Sequence, residues 1–161
     1  PLALDLGDPA SPRTLWLLPE SDPALAPADP ALEQQWLATD LAYGLPRLPE
    51  SQREAWTPQM LSVGRLAAFS LRKGCYPGQE IVARTHYLGQ AKRELVRVLG
   101  EALTAGQAVK AGEAGVGTVA CAAADGREGL AVLAVGHHEN LSVDGRPCRV
   151  ASLNEGLARK G

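Results

Sequence analysis

The spacing of apolar positions changes along the chain, and each change marks an element. Residues 2–6 alternate, with Leu2, Leu4 and Leu6 on one face, and residues 14–18 form a second short β-prone run around Trp16. Period two puts successive side chains on opposite faces of a strand. The two runs therefore read as a hairpin across the turn-rich loop 7–13. Two strands alone are marginal, so this hairpin calls for a further partner. Residues 19–30 hold prolines at 19, 23, 27 and 30; proline removes backbone donors, so the stretch is a connector. Asp29-Pro30 then supplies an N-cap and a first helical proline. Leu32, Trp36, Leu37 and Leu41 recur at helical spacing on one side, and Gly44 and Pro46 stop the run. The spacing predicts a helix over 30–43, in which Trp36 and Tyr43 read as core residues or, alternatively, as the wall of a ligand cavity. Residues 47–58 are polar and read as loop. Residues 60–71 are apolar but broken by Gly64 and Arg65, which predicts irregular or single-turn helical structure. A short amphipathic helix follows over 79–88, carried by Ile81, Val82, Thr85 and Leu88 and ended by Gly89.

From Lys92 onward the period is two. Residues 94–99, 117–122 and 130–135 read as strands, the last apolar throughout and so buried on both faces. Residues 141–143 and 148–151 flank Asp144-Gly145, a hairpin signal. Short strands at near-regular spacing with glycine turns predict a small antiparallel barrel. The fold class is therefore α+β: the end of a mixed α/β region with helices, followed by a small antiparallel β-barrel. The expected division is 1–90, 91–155 for the barrel, and a polar, frayed tail over 154–161, of which 156–161 lies beyond the barrel.

Composition narrows the function classes. The chain has 161 residues, 45% of them hydrophobic but only 4% aromatic, so the core is aliphatic. The net charge of -2 argues against a general electrostatic grip on nucleic acid or an anionic membrane. No apolar run approaches the roughly 18 residues of a membrane span, and no signal peptide is evident. Cys75, Cys121 and Cys148 are odd in number and far apart, without a CxxC pair. A disulfide framework is not expected, and a reducing cytoplasmic location is. No metal site is expected either, since His137-His138 is adjacent rather than spaced for shared ligation. The chain starts at Pro1 within an alternating run, which reads as a fragment of a longer protein.

The densest chemistry lies in Lys73-Gly74-Cys75-Tyr76-Pro77-Gly78-Gln79-Glu80. A thiol acts as nucleophile or ligand only as thiolate. Lys73 and the start of the helix near Gly78 would both lower the Cys75 pKa. Gly74 and Gly78 allow positive φ and close approach of a ligand to the backbone. Gln79 and Glu80 offer the donor and acceptors that read a hydrogen-bonding heterocycle, and Arg84 can hold a carboxylate. The residues alone leave two readings, a tight turn with a small cysteine in it or a thiol site.

The run, continued by Ile81-Val82-Ala83-Arg84, resembles the K-G-C-[FY]-x-G-Q-E-x-x-A-R signature of the YgfZ family, folate-binding proteins related to the aminomethyltransferase of glycine cleavage, the T-protein. Leu41-Ala42-Tyr43-Gly44-Leu45-Pro46 is similar to the family's I-E-A-G-I-P segment, and Trp36 stands where that helix often has Trp. Ala42 replaces the usual Glu, and Tyr43 the small Ala. The resemblance implies a T-protein-like region over 1–90 and tetrahydrofolate or a derivative as ligand. It further implies support of iron–sulfur cluster assembly or repair in client enzymes, some of which modify tRNA. It implies Cys75 and Lys73 as reactive residues, with Trp36, Gly74, Tyr76, Gly78, Gln79, Glu80 and Arg84 at the ligand. Expected partners are the folate and iron–sulfur clients of a monomer, without direct nucleic-acid binding and without a membrane. Two alternatives stand beside this accessory role: a folate-dependent aminomethyltransferase, and an interaction module in which the motif is a structural turn. Whether the protein turns over a substrate is left open.

Overall fold

The computed structural model describes residues 1–71, 74, 77–89 and 91–157, the side chain of Leu88 excepted. Two helices and eight strands form around a closed barrel. Strands β1 (Leu2–Asp5) and β2 (Thr14–Leu17) pair antiparallel from Leu2↔Leu17 to Asp5↔Thr14. Their connection closes through Leu6 N–H donating to Arg13 O (2.9 Å). A Cβ at Gly7 would stand 2.2 Å from Arg13 N, so this loop needs glycine there. Among the described residues no third strand joins the pair, and both strands are exposed throughout, Trp16 by 57%.

Helix α1 (Pro30–Ala42) starts as its sequence dictates. Asp29 Oδ1 accepts the N–H groups of Ala31 (2.9 Å) and Leu32 (3.4 Å), and Pro30 occupies the first turn, where a missing donor costs nothing. Gly44 ends it at φ +64°, a left-handed conformation that glycine adopts without a Cβ penalty. The apolar stripe is only partly used, however. Leu41 is buried, whereas Leu32, in the helix's first turn, is 62% exposed. The loop expected over 47–58 contains a short 3-10 turn, Glu50–Gln52, and the irregular stretch after it contains another, Val63–Leu66.

The barrel consists of β3 (Arg93–Leu99), β4 (Ala108–Ala111), β5 (Ala114–Ala122), β6 (Glu128–Ala134), β7 (Leu141–Val143) and β8 (Arg146–Ala151). Its order is β3-β6-β5-β4-β7-β8, antiparallel throughout and closed by β8 on β3 at Arg97↔Ala151, Val98↔Val150 and Leu99↔Arg149. Closure removes the unpaired edges of an open sheet. Asp144 (φ +48°) and Gly145 (φ +77°) form the expected β7–β8 turn. Strand β4 escaped the sequence reading because Val109 is its one strongly β-prone residue. It forms because Gly112, at φ +60°, opens a two-residue turn that folds β4 onto β5.

Two apolar cores share the β3–β6–β5 wall. Inside the barrel lie Val96, Val98, Val109, Val119, Ala131 and Leu133 with their neighbours. Outside it, Leu95, Ala120, Cys121, Leu130 and Val132 pack against Leu41 of α1 and Leu61. Period two sends Ala131 and Leu133 inward and Leu130 and Val132 outward, which is why β6 is apolar throughout. Its apolar run overshoots by one residue: Val135 lies beyond the strand and is 55% exposed. A register shift between Val119 and Cys121 lets the consecutive Ala120 and Cys121 both join the outer core.

Past the barrel the chain turns back toward α1. Asn154 N–H donates to Ala42 O (2.8 Å) and Leu153 packs into the outer core. The rest of the expected tail, 158–161, lies outside the described residues. Leu133 is fully buried, so Leu133→Ala is expected to cost about 2–5 kcal/mol of unfolding free energy in urea titrations. Leu32→Ala, at an exposed position, should change it by no more than about 0.5 kcal/mol.

Candidate functional site

Helix α2 (Gln79–Leu88) begins where the sequence places it. Gly78 caps it at φ +82°, and a Cβ at Gly74 or Gly78 would meet nothing within 4 Å, so both glycines face open space. Glu80 lies in the first turn, beside the positive end of the helix dipole, and is exposed, as is Arg84. Gln79 is half-buried. Val82 is buried, and its carbonyl accepts Nε2–H of Gln59 (2.9 Å), which ties α2 to the preceding loop. Ile81, expected on the apolar side, is 50% exposed because only the Val82 side of this short helix meets the rest of the chain. Lys73, Cys75 and Tyr76 lie outside the described residues.

The other two thiols are described. Cys121 is buried in the outer core and Cys148 packs against the barrel interior. Burial pushes both thiols above the ordinary cysteine value. A thiol held neutral reacts slowly.

Trp36 faces a cavity of about 470 Å³ between the hairpin, α1 and the segment leading to the motif. Its wall includes Asp5, Arg13, Trp36, Asp40, Arg47 and Ala68. Ala68 precedes Lys73 by five residues in the chain. Among the described residues, none of Gly74, Gly78, Gln79, Glu80 and Arg84 lines this cavity. The structure thus separates the described signature residues from Trp36.

Three charged groups organise the cavity. Asp40 is buried and accepts from two arginines: Arg13 Nη1 at its Oδ1 (2.5 Å) and Arg47 Nε at its Oδ2 (2.7 Å). The Arg13 guanidinium also lies over the Trp36 ring, 4.7 Å from its centroid, an attractive placement for a cation. The trio is not apparent from the spacing of apolar residues. Its signal was Asp40 itself, one helical turn after Trp36 and next to Leu41, a carboxylate on the apolar stripe that burial obliges to find cations.

Beneath the trio, Tyr43 OH donates to Asp8 Oδ2 (2.6 Å), while Asp8 Oδ1 accepts from Ala10 and Ser11. Tyr43 is therefore a core residue and, among the described residues, not part of the cavity wall. Arg65 Nη2 donates to Tyr43 O, fixing the end of α1 on the approach segment. The Tyr43 hydroxyl and the backbone donors hold the Asp8 carboxyl below its ordinary value, and the same hydrogen bond raises the Tyr43 phenol. A lowered carboxylate pKa contributes stability above the unfolded value and loses it as pH falls through the folded one. The urea midpoint should therefore fall as pH drops below the ordinary Asp value of about 3.9. Tyr43→Phe is expected to flatten that fall; an unchanged acid limb would remove Asp8 as its source.

No protein-family model matches the chain. Among curated proteins it is similar to the tRNA-modifying protein YgfZ of Edwardsiella ictaluri, 37% identical over 98 residues, covering 56% of this chain and 30% of that protein. The Klebsiella pneumoniae protein of the same name is 41% identical over 80 residues, covering 50% and 24%. That of Sodalis glossinidius is 44% identical over 69 residues, covering 43% and 21%. The chain spans about a third or less of the length of these relatives. The signature Lys73-Gly74-Cys75-Tyr76-Pro77-Gly78-Gln79-Glu80 thus belongs to a chain that is similar, over about half of its length, to proteins of the YgfZ type.

Proposed function

We propose that the chain belongs to a folate-binding accessory protein of the YgfZ kind, which supports iron–sulfur enzymes that modify tRNA. The observation that carries the reading is the similarity to proteins named for tRNA modification, 37–44% in identity, in a chain holding the whole thiol signature. The Trp36 cavity suits such a ligand. Its volume falls within the range of small-molecule sites, and it combines an indole and an aliphatic wall with the charged side chains of Asp5, Arg13, Asp40 and Arg47. Arg13 lines it, and among the described residues its buried Nε has no hydrogen-bond partner. Trp36 would take the flat part of a tetrahydrofolate, and the arginines its polar part. A bound tetrahydrofolate supplies a carrier for one-carbon units.

Cys75 serves in this reading as the reactive or ligating thiol. Cys121, buried, and Cys148, half-buried, both have thiols of raised pKa and leave Cys75 as the cysteine suited to that chemistry, which Lys73 and the start of α2 would favour as thiolate. The location that goes with this reading is the cytoplasm; among the described residues no helix is long and apolar enough to cross a membrane.

Titration with 5-formyltetrahydrofolate, followed by calorimetry, should show one saturable site, weakened at least tenfold in Trp36→Ala. Absence of heat up to millimolar ligand would end the folate reading. Iodoacetamide should modify Cys75 at neutral pH faster than Cys121 and Cys148, read by mass spectrometry of the folded protein. Equal rates would remove the thiol from the proposal, and glycine-cleavage turnover would replace the accessory role with a transferase.

A further inference from the structure

The cavity beside Trp36 has a feature that ring binding does not use. A guanidinium carries five N–H donors. Arg47 spends Nε on Asp40, and among the described residues its side chain makes no other hydrogen bond. Its Nη1–Nη2 edge is therefore open, on a side chain 54% exposed at the cavity mouth. Deeper in, the Arg13 side chain is 7% exposed and its Nε has no partner. Asp40, also 7% exposed, faces both cations and neutralises only one of the two charges. Asp5, the other carboxylate of the wall, receives Gly7 N–H on Oδ1 (3.0 Å). Asp40 thus does two things: it fixes the planes of both arginines, and it leaves one of them with a donor fork unoccupied.

A fork of two parallel N–H groups matches a carboxylate and binds it in bidentate fashion. We propose that Arg47, held in plane by Asp40 and backed by Arg13, is a carboxylate subsite that takes the glutamyl tail of the ligand. The proposal rests on the folate reading given above. It assigns Arg47 to the tail and leaves the ring to Trp36, so the cavity discriminates pteroyl-glutamates from pteroyl amides that lack a carboxylate. Arg84 on α2, which the signature makes the carboxylate holder, does not line this cavity among the described residues.

Three ligands separate the outcomes: 5-formyltetrahydrofolate, the N-methylamide of 5-formyltetrahydropteroic acid, which keeps the amide but has no carboxylate, and p-aminobenzoylglutamate, which lacks the pterin. Calorimetry on the full chain should give at least tenfold tighter binding of the first than of the second. Arg47→Ala should erase that ratio and Arg47→Lys, which keeps charge but not the fork, should leave an intermediate one. The variants keep the Arg13–Asp40 pair and should stay folded with a somewhat lower melting temperature, so binding is measured well below it. Equal affinities for the first two ligands, or a ratio that survives Arg47→Ala, would overturn the subsite while leaving the folate reading intact. If neither pteridine binds but p-aminobenzoylglutamate does, and Arg47→Ala abolishes it, the folate reading fails and the subsite stands. If none of the three binds, both fail.

Discussion

Leu130 and Val132 point out of the barrel, and what covers them decides where the rest of the chain sits. A closed barrel of six strands can be satisfied from within by Val98, Val119 and Leu133. Its outer wall would then be polar. Here β6 is apolar on both faces, and Leu95 of β3 with Ala120 and Cys121 of β5 extends its outer face, so the segments before the barrel lie against this patch. Leu41 and Leu61 do so, and they bring the end of α1 and the approach to the motif to one wall. The position of the Trp36 cavity follows from this shared wall, since α1, its floor, is held there by Leu41.

The parts legible in the sequence are those specified locally. Asp29-Pro30 and Gly44 delimit α1 by cap chemistry, Asp144-Gly145 fixes the last hairpin by backbone conformation, and the apolar run of β6 announces burial on both faces. The barrel followed from these signals. The less legible parts depend on partners far away in sequence. Val109 alone does not make a strand; a turn at Gly112 and a neighbour at β7 do. Leu32 and Ile81 have the right spacing for burial, but spacing says which residues share a face and not how far the neighbour extends.

The candidate site divides in the same way. The thiol signature is a contiguous string and could be read directly. The Arg13–Asp40–Arg47 trio is scattered over a loop, a helix and a second loop, and no single residue in it resembles a motif. Only the three-dimensional pairing shows that Asp40, on a stripe otherwise apolar, is a hub. Tyr43 is a related case. It departs from the small residue of the YgfZ segment, and the departure is absorbed by Asp8, whose carboxylate receives its hydroxyl.

The return of the chain at Asn154 and Leu157 bears on the order of folding. Leu157 lines the same cavity as Asp5, and a Cβ at Gly156 would stand 2.5 Å from the Asp8 carboxylate. These contacts join the two extremes of the described chain. Contacts of such separation must pay their loop-closure entropy before they stabilise anything. The β4–β5 and β7–β8 hairpins, closed by turns of two residues, have no such delay. The wall of the cavity is thus complete only when the residues after the barrel lie back over α1.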